Sequence, residues 1–453
     1  MTTTTKTKLQ TIDAQHHIHP FTDSGDLVKK GTRVIERAEG VYLYDSEGNK
    51  ILDGMAGLWC VNIGYGRQEL IDAATEQMQQ LPYYNSFFQC TTPPTIELAE
   101  LLSELAPDHL NHVFFTGSGS ESNDTMLRLA RHYWACKGKP NKQVIIARKN
   151  AYHGSTVAGA SLSGMTVMHK QGALPIAGIE HINQPYWFGE GFDEDPNEFG
   201  LRVARELEEK ILELGEDNVA AFIAEPVQGA GGVVIPPESY WPEIQRICDQ
   251  YEILLVSDEV ICGFGRTGKW FGCDYFGTKP DLMPIAKGIS SGYLPIGGVL
   301  ISDEVAETLK NSGDEFYHGF TYSGHPTAAA VATANIKVLR DEGIVERVDQ
   351  EIAPYFSEKL QQLASHPIVG EVRTLGLLAA IELMQDKEQH LFFEDKGAVG
   401  TRCRDISVTN GLVMRGVGST MVMSPPLVIT KEEIDLLYER VLKTLDDTAA
   451  EFL

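Results

Sequence analysis

Lys287 and Asp258 are residues whose types and surroundings could support chemistry. Lys287 stands in PIAKGISSGYLPIGG (284–298), between apolar residues and glycines. An arbitrary lysine is most often a surface residue, but apolar flanks disfavour the ammonium form and favour a nucleophilic amine that can form a Schiff base. Asp258 ends the strand-like run ILLVSDEV (253–260), where it could cap a turn or pair with a protonated ring nitrogen.

The stretch TGSGSESND (116–124) places small residues at a predicted strand-to-helix turn. Backbone N–H groups and the positive end of a helix suit a phosphate there, and Ser118 and Ser120 flank Gly119 with hydroxyls. Such turns also serve simply as helix caps, so this stretch alone leaves both readings open. Together, a Schiff-base lysine, a carboxylate and a phosphate turn are the set that a pyridoxal phosphate enzyme needs.

A competing interpretation comes from residues 263–269, which follow a strand-like run and read G-x-x-x-x-G-K. A nucleotide-binding phosphate loop continues with Ser or Thr, whose hydroxyl ligates Mg²⁺, and with a helix. Here Trp270 follows, and the next residues, rich in Gly and aromatic side chains, do not favour a helix start. We therefore expect residues 263–269 to support the neighbouring loop.

Alternating strand-like and helix-like segments from about residue 110 to residue 330 must position these groups. This β-α-β alternation predicts an α/β fold with a mostly parallel central sheet flanked by helices. Ligands of such sheets bind at the carboxyl ends of the strands. The predicted site residues are those that follow strands, namely Ser118, Gly119, Ser120, Tyr152, His153, Glu225 and Asp258.

Three regions are predicted along the chain. Residues 1–62 form an N-terminal segment that packs with a small domain, residues 63–330 form the large domain, and residues 331–453 form a smaller C-terminal α+β domain. GVYLYDSEGNKILDG (40–54) is typical of a β-hairpin. The first 21 residues have no apolar core of a secretory signal and are predicted to be a frayed lead-in.

Composition narrows the class of protein. The formal net charge of −25 disfavours binding to nucleic acid and to anionic membranes, and a negative field could concentrate cationic substrates. No apolar run approaches the roughly 20 residues that span a bilayer. Seven scattered cysteines without a C-x-x-C motif argue for a reducing compartment, the cytoplasm, and against a disulfide framework or a thiolate metal site.

At this point the chain resembles the class III (omega) aminotransferases, of the fold type I pyridoxal phosphate superfamily. The motifs that carry the resemblance occur in family order and cover the chain from about Phe21 to the C-terminal helix. They are TGSGSESNDT, AYHGS, AEPVQGAGG, SDEVICGFGRTG, AKGISSGYLPIGG and HGFTYSGHP.

The resemblance implies roles residue by residue. Lys287 matches the lysine that binds the cofactor and shuttles the proton, and Asp258 matches the partner of the pyridine nitrogen. Further residues match cofactor and substrate contacts of the family, most of them in the same motifs and Arg415 in VMRGVGS. Gly119 and Ser120 match the phosphate turn, Tyr152 and Val260 the two faces of the ring, Thr321 a phosphate ligand from the neighbouring subunit of an obligate dimer, Glu225 an acidic residue near the substrate, and Arg415 a mobile arginine for the pyruvate carboxylate.

The subgroup is suggested by Ile261 and by an aromatic box of Trp59, Phe87 and Phe88, which are similar to amine:pyruvate enzymes, although aromatic residues often serve only as core. The expected reaction moves an amino group from a primary amine, with putrescine or spermidine favoured, to pyruvate. An omega-amino acid donor such as β-alanine or 4-aminobutyrate is the alternative. Aminomutase or decarboxylase chemistry is also open to this cofactor, but Arg415 with the aromatic box favours two-substrate transamination.

Overall fold

The computed structural model describes residues 7–453 and begins with a helix. Helix α1 (Lys8–His16) is capped by Thr7, whose side chain accepts a hydrogen bond from the Gln10 backbone N–H. His17 Nδ1 and His19 Nε2 lie 3.1 and 2.9 Å from Asp13 Oδ1. The prediction of a frayed lead-in over residues 1–21 is therefore wrong for α1, because capping and polar contacts order it. Residues 1–6 lie outside the described part.

The N-terminal segment continues into a small antiparallel sheet of three strands, ordered β1-β2-β3. Strands β2 and β3 pair from Tyr42↔Leu52 to Tyr44↔Lys50, which confirms the hairpin predicted over residues 40–54. The elements of this segment are α2 (Ser24–Lys30), β1 (Ile35–Glu39), β2 (Tyr42–Asp45), β3 (Lys50–Leu52) and α3 (Ala56–Trp59).

The central sheet has seven strands in the order β4-β10-β9-β8-β7-β5-β6. Only β10 runs antiparallel to its neighbours β4 and β9, so the predicted mostly parallel sheet is confirmed. The strands are β4 (His112–Thr116), β5 (Val144–Arg148), β6 (Ile179–Ile182), β7 (Val219–Ala224), β8 (Leu254–Ser257), β9 (Leu282–Ile285) and β10 (Gly297–Ile301).

Helices surround this sheet. They are α4 (Gln68–Gln80), α5 (Pro93–Leu105), α6 (Gly119–Cys136), α7 (Val157–Leu162), α8 (Thr166–Lys170), α9 (Trp187–Glu190), α10 (Pro196–Leu214), α11 (Tyr240–Gln250), α12 (Gly272–Phe276), α13 (Asp303–Ser312) and α14 (Pro326–Asp341). Single 3₁₀ turns lie at Glu216–Asn218 and Lys287–Ile289. Helix α10 ends at Gly215, where φ is +86°.

The packing of strand β7 explains why the strands of the central sheet appear in the sequence as continuous apolar runs. Ala221 and Ile223 join a buried cluster with α6, while Phe222 and Ala224 join one with α10 and α11 on the opposite face. A strand covered on both faces needs apolar side chains at every position.

The C-terminal domain contains an antiparallel sheet ordered β11-β12-β15-β14, with β13 pairing with β12. A capping box of Thr430 and Glu433 starts its last helix. Its elements are α15 (Ile344–Arg347), a π-helical turn (Val348–Ile352), α16 (Ala353–Gln361), a 3₁₀ turn (Gln362–Ser365), β11 (Val369–Leu375), β12 (Leu378–Asp386), β13 (Leu391–Phe392), α17 (Lys396–Thr409), β14 (Arg415–Val417), β15 (Thr420–Met423) and α18 (Lys431–Phe452).

The N-terminal sheet contacts the C-terminal domain through its backbone. Leu52 N–H donates to Gly411 O at 2.8 Å, and Val413 N–H donates to Leu52 O at 2.9 Å. Helix α14 runs across residue 330, where the large domain was predicted to end. The boundaries at 62/63 and 330/331 stay predictions.

Residues 263–269 form a packed loop next to the C-terminal domain. The Lys269 ammonium lies 2.7 Å from Asp349 Oδ2, and the fully buried Arg266 donates to Asn62 Oδ1 at 2.8 Å and to Pro425 O. Helix α12 begins only at Gly272. The side chains of this loop thus tie parts of the chain together, as expected for a supporting loop.

All seven cysteines are free thiols. Within residues 7–453 no helix has the length and apolar character needed to cross a membrane.

Helix α10 offers a matched pair of leucines that tests the packing of one face of the central sheet. Leu207 is fully buried, whereas Leu212 is 56% exposed. Leu207→Ala should lower the free energy of unfolding by about 2–5 kcal/mol, since it leaves a cavity in the core. Leu212→Ala should change it by less than about 0.5 kcal/mol. Urea titrations of the purified variants measure both, and equal effects would contradict the packing described.

Candidate active site

The register of the central sheet brings distant segments to one edge. Ala224 pairs with Ser257 across β7 and β8, so Glu225 and Asp258 emerge side by side at the carboxyl ends of these strands. Across the sheet, β10 begins beside the ends of both β4 and β9, because Gly297 pairs with Thr116 and Gly298 with Ile285. The turn after β4 and the lysine after β9 therefore meet.

Gly297 is required for that meeting. A Cβ atom there would lie 2.9 Å from Ile285 O, from Ser122 Oγ and from Thr116 Oγ1. Such distances are too short for a side chain, so only glycine lets the two strand ends approach β10 this closely.

A cavity of about 170 Å³ opens at this edge. Every site residue that was predicted from strand ends lines this cavity, together with Lys287 and Val260. Its lining residues are Leu58, Ser118, Gly119, Ser120, Asn123, Tyr152, His153, Gly154, Glu225, Asp258, Val260, Ile261 and Lys287.

Asp258 lies at the base of the cavity and is buried. Its Oδ2 accepts a hydrogen bond from Asn123 Nδ2 at 2.8 Å and lies 2.7 Å from His153 Nδ1. Its Oδ1 accepts from the Val260 backbone N–H at 3.1 Å. Three contacts from three segments fix the direction of the carboxylate.

Lys287 enters the cavity from the loop after β9, with a left-handed backbone (φ +50°) that is uncommon for a residue other than glycine. Burial lowers the pKa of Lys287, because desolvation disfavours the ammonium, and the Asp258 and Glu225 carboxylates act in the opposite direction. The neutral amine is therefore easier to reach than in a surface lysine.

The turn at Ser118, Gly119 and Ser120 begins the 18-residue helix α6. Ser118 is the N-cap and accepts from the Glu121 N–H at 3.3 Å, while Ser120 Oγ accepts from the Ser155 N–H at 3.1 Å. A Cβ at Gly119 would lie 3.0 Å from Val260 Cγ1, so the backbone lies close to the cavity wall. Free N–H groups at a helix start suit an anion.

Glu225 forms another wall of the cavity. Its Oε1 accepts from the Tyr152 N–H at 3.1 Å and its Oε2 from the Gly229 N–H at 2.8 Å. Burial raises the pKa of Glu225, with the neighbouring Asp258 adding to the effect. Tyr152 itself is half-buried, and its hydroxyl lies 3.0 Å from Ser155 Oγ.

Trp59 and Arg415 lie next to the cavity. The buried Trp59 ring has its centroid 5.8 Å from Lys287 Nζ and 5.0 Å from the Arg415 guanidinium carbon. Burial lowers the pKa of Arg415, which starts strand β14. The structure thus gathers one aromatic ring and two basic side chains from three segments.

Besides Trp59 and Arg415, three further predicted site residues do not line this cavity. Phe87 lines a separate groove with His318, Phe88 is 90% exposed, and Thr321 accepts a hydrogen bond from Tyr83 through its backbone oxygen. The sequence placed Thr321 in the site of a neighbouring subunit, and the roles of Thr321, Phe87 and Phe88 stay predictions.

Asn123 was missed by the sequence analysis. It donates from Nδ2 both to Asp258 and, at 2.8 Å, to His153 O. The available signal was a polar residue on the buried face of the amphipathic helix α6, one turn after Ser120. A polar side chain on such a face needs a partner in the core.

The residues present fit pyridoxal phosphate. The α6 turn offers N–H groups and hydroxyls for a phosphate, Asp258 offers a fixed carboxylate for a ring nitrogen, and Lys287 offers an amine. Within residues 7–453, the buried His153 Nε2 and Asn123 Oδ1 have no hydrogen-bond partner, so the site retains polar groups for a ligand. Fold and site together define a fold type I pyridoxal phosphate enzyme.

Comparison with known proteins narrows this class. Residues 27–445 match the family model for aminotransferase class-III. The chain is 61% identical over 444 residues to putrescine–pyruvate aminotransferase of Pseudomonas aeruginosa, covering 98% of this chain and 97% of the relative. It is 44% identical to gamma-aminobutyrate transaminase 1, mitochondrial, of Solanum lycopersicum, covering 95% of this chain and 84% of the relative.

Similar solved structures support the same family. The omega transaminase of Pseudomonas jessenii in complex with PMP superimposes with a TM-score of 0.96 at 41% identity, covering 98% of this chain and 99% of that one. The (S)-enantioselective omega-transaminase of Thermomicrobium roseum gives a TM-score of 0.94 at 44% identity, covering 97% and 98%. The chain belongs to the class III aminotransferase family and is a pyridoxal phosphate-dependent aminotransferase.

Asp258→Asn tests the electrostatic link between Asp258 and Lys287. The Asp258 carboxylate favours the ammonium form of Lys287, so removing its charge should lower the pKa of Lys287 further. In cofactor-free protein, the pH midpoint for reductive methylation of Lys287 should therefore shift downward. Peptide mass spectrometry measures it, with the exposed Lys443 as reference for the reagent. An unchanged or raised midpoint contradicts the link.

Proposed function

We propose that this aminotransferase moves an amino group from a primary amine to pyruvate, giving an aldehyde or ketone and L-alanine. The observation that carries the proposal is the 61% identity to a putrescine–pyruvate aminotransferase over 98% of the chain. Putrescine or a similar polyamine is the favoured donor, and aralkyl amines are further donors.

Arg415 supports pyruvate as the acceptor. Its guanidinium lies against the Trp59 ring next to the cavity that holds Lys287. A guanidinium can bind a carboxylate through two parallel hydrogen bonds, which orients the acceptor as well as holding it. A donor amine without a carboxylate has no such requirement.

The donor side of the cavity is largely apolar. Leu58, Val260 and Ile261 line it, and Trp59 adds an aromatic wall. Such a surface suits the methylene chain of a diamine or the ring of an aralkyl amine. The net charge of −25 favours the approach of cationic donors.

When bound, pyridoxal phosphate supplies an aldehyde that carries the amino group between the two substrates and a ring that takes up an electron pair. Asp258, held by Asn123 and His153, would keep the ring nitrogen of the bound cofactor protonated. Lys287 Nζ takes the proton from the carbon that bears the donor amine and, in the second half-reaction, returns a proton to the carbon that becomes Cα of alanine. Burial lowers its pKa, which makes the neutral amine easier to reach for this transfer.

An omega-amino acid donor is the alternative. It is supported by relatives named as gamma-aminobutyrate transaminases at 42–44% identity, which is lower than the identity to the putrescine enzyme. Such a donor carries its own carboxylate, so it would compete with pyruvate for Arg415.

We also propose that the active unit is a homodimer, with assembly into a tetramer open. Thr321 and Phe88 are exposed in the single chain and lie outside the cavity, although the family resemblance places them in a site. Exposed aromatic residues near them, including Tyr84, Tyr317 and Tyr322, form an apolar surface that suits a subunit contact.

Sedimentation velocity tests this assembly. We expect a species of at least twice the 50.0 kDa chain mass, with no monomer at micromolar concentration. A monomer with full transaminase activity would contradict the proposal that Thr321 serves the neighbouring subunit.

A panel of amine donors tests the proposed reaction. With pyruvate as acceptor, alanine formation should be fastest from putrescine or spermidine, intermediate from cadaverine and 1-phenylethylamine, and slowest from β-alanine and 4-aminobutyrate. Chromatography of alanine measures each rate. A reversed order, with the omega-amino acids fastest, would make the alternative correct.

The control for this panel is Lys287→Ala. It should fold and give negligible turnover with every donor, because among residues 7–453 no other lysine lines the cavity. Retained turnover would show that Lys287 is not the group that transfers the proton. A second control incubates the enzyme with amine alone, which must convert the cofactor to its amine form if the reaction is transamination.

A further inference from the structure

A buried polar network joins the C-terminal sheet to the large domain. At its centre lie Arg373 on β11 and Glu382 on β12, with Arg373 Nη2 3.8 Å from Glu382 Oε2. Both side chains are buried. The other members are Tyr186, Glu371, Ser419 and Thr420, together with the backbone of Gly232 and Val233.

On one side, the network holds the loop that follows Glu225. Arg373 donates from Nη2 to Gly232 O at 2.8 Å and from Nε to Val233 O at 3.1 Å. This loop also supplies the Gly229 N–H that binds the Glu225 carboxylate. Arg373 therefore holds the loop that supports Glu225 in the cavity wall.

On the other side, the network holds the turn between β14 and β15. Ser419 Oγ and Thr420 Oγ1 each donate to the Glu382 carboxylate at 2.6 Å, one to each oxygen. Tyr186 donates to the same carboxylate at 2.8 Å. These three hydrogen bonds are directional, so the turn is held at a defined position.

The hairpin held in this way carries Arg415. Arg415 pairs with Val422, and Val417 pairs with Thr420 next to the turn. At the opposite end, the Ser424 N–H donates to Gly54 O at 2.6 Å, in the segment that leads to Trp59. Strand β14 has only three residues, so these two attachments help to position Arg415, together with the Val413 N–H that donates to Leu52 O at 2.9 Å just before the strand.

Charge balance favours a positioning role for the network. Arg373 forms an ion pair with Glu371 as well as with Glu382, so its charge is already compensated without the hydroxyl groups of the hairpin. The two hydroxyls add no charge. They fix a relative position, since they connect the Arg373–Glu382 ion pair to the β14–β15 hairpin that contains Arg415.

We propose that the Arg373–Glu382 pair, acting through Ser419 and Thr420, positions Arg415 for the carboxylate of the acceptor and so sets the preference for 2-oxo acids over simple aldehydes. The inference rests on the proposed function, in which Arg415 binds pyruvate. Ser419, Thr420 and Glu382 are positioning residues, since they act through the hairpin.

The double variant Ser419→Ala/Thr420→Val tests the proposal in the cofactor-loaded enzyme. It removes both hydroxyl contacts while leaving the charges and the side-chain volumes nearly unchanged. We expect KM for pyruvate to rise about tenfold, because a misplacement of the order of 1 Å in a positioning group has effects of this size or larger. KM for acetaldehyde, which lacks the carboxylate, and the rate of the half-reaction with putrescine alone should change less than about twofold.

Two reference variants distinguish a failure of the acceptor assignment from a failure of the positioning role. Arg415→Ala should abolish the preference for pyruvate over acetaldehyde, and if it does not, the acceptor assignment in the proposed function is wrong. Arg402→Gln breaks the exposed ion pair with Glu451 in the same domain and should leave all three parameters unchanged.

If Arg415→Ala removes the preference while the double variant raises KM for both acceptors equally, or for neither, the positioning role is overturned. Should the double variant not fold, Glu382→Gln takes its place, because Arg373 keeps its ion pair with Glu371. The same split between pyruvate and acetaldehyde decides the outcome for that variant.

Discussion

The structure depends on how one buried carboxylate is held. Asp258 sits at the carboxyl end of β8 and receives contacts from a helix (Asn123), a loop (His153) and its own strand end (the Val260 N–H). A buried charge is costly unless it is paired and hydrogen-bonded, so these segments must arrive together for the fold to be stable. The requirement that stabilises Asp258 also builds the cofactor site around it.

The register of the central sheet places several of the other groups. Neighbouring pairs such as Ala224 and Ser257 place Glu225 beside Asp258, and the antiparallel strand β10 joins the phosphate turn to the lysine loop. Strand pairing sets these positions, and Gly297 is a position where a side chain would prevent the close approach.

The sequence predicted the elements and the strand-end residues because local patterns carry that information. Apolar runs mark β7 and β8, and Gly215 and Thr430 mark helix boundaries. The pairing of Asn123 with Asp258, and of Arg373 with the loop at Gly232, joins residues more than a hundred positions apart. No local pattern encodes such contacts, and helix α1 was missed because its order comes from caps and polar contacts more than from apolar periodicity.

Trp59 lies next to groups that serve both half-reactions of the proposed transamination. Its ring lies within 6 Å of both Lys287 Nζ and the Arg415 guanidinium carbon, so under the proposed function it would form a wall for the donor amine and support the arginine that binds the acceptor carboxylate. A smaller residue at this position would widen the cavity for bulky amines and, at the same time, release the arginine. Engineering of donor scope at residue 59 therefore carries an acceptor trade-off, and a compensating change near Arg415 belongs in the same library.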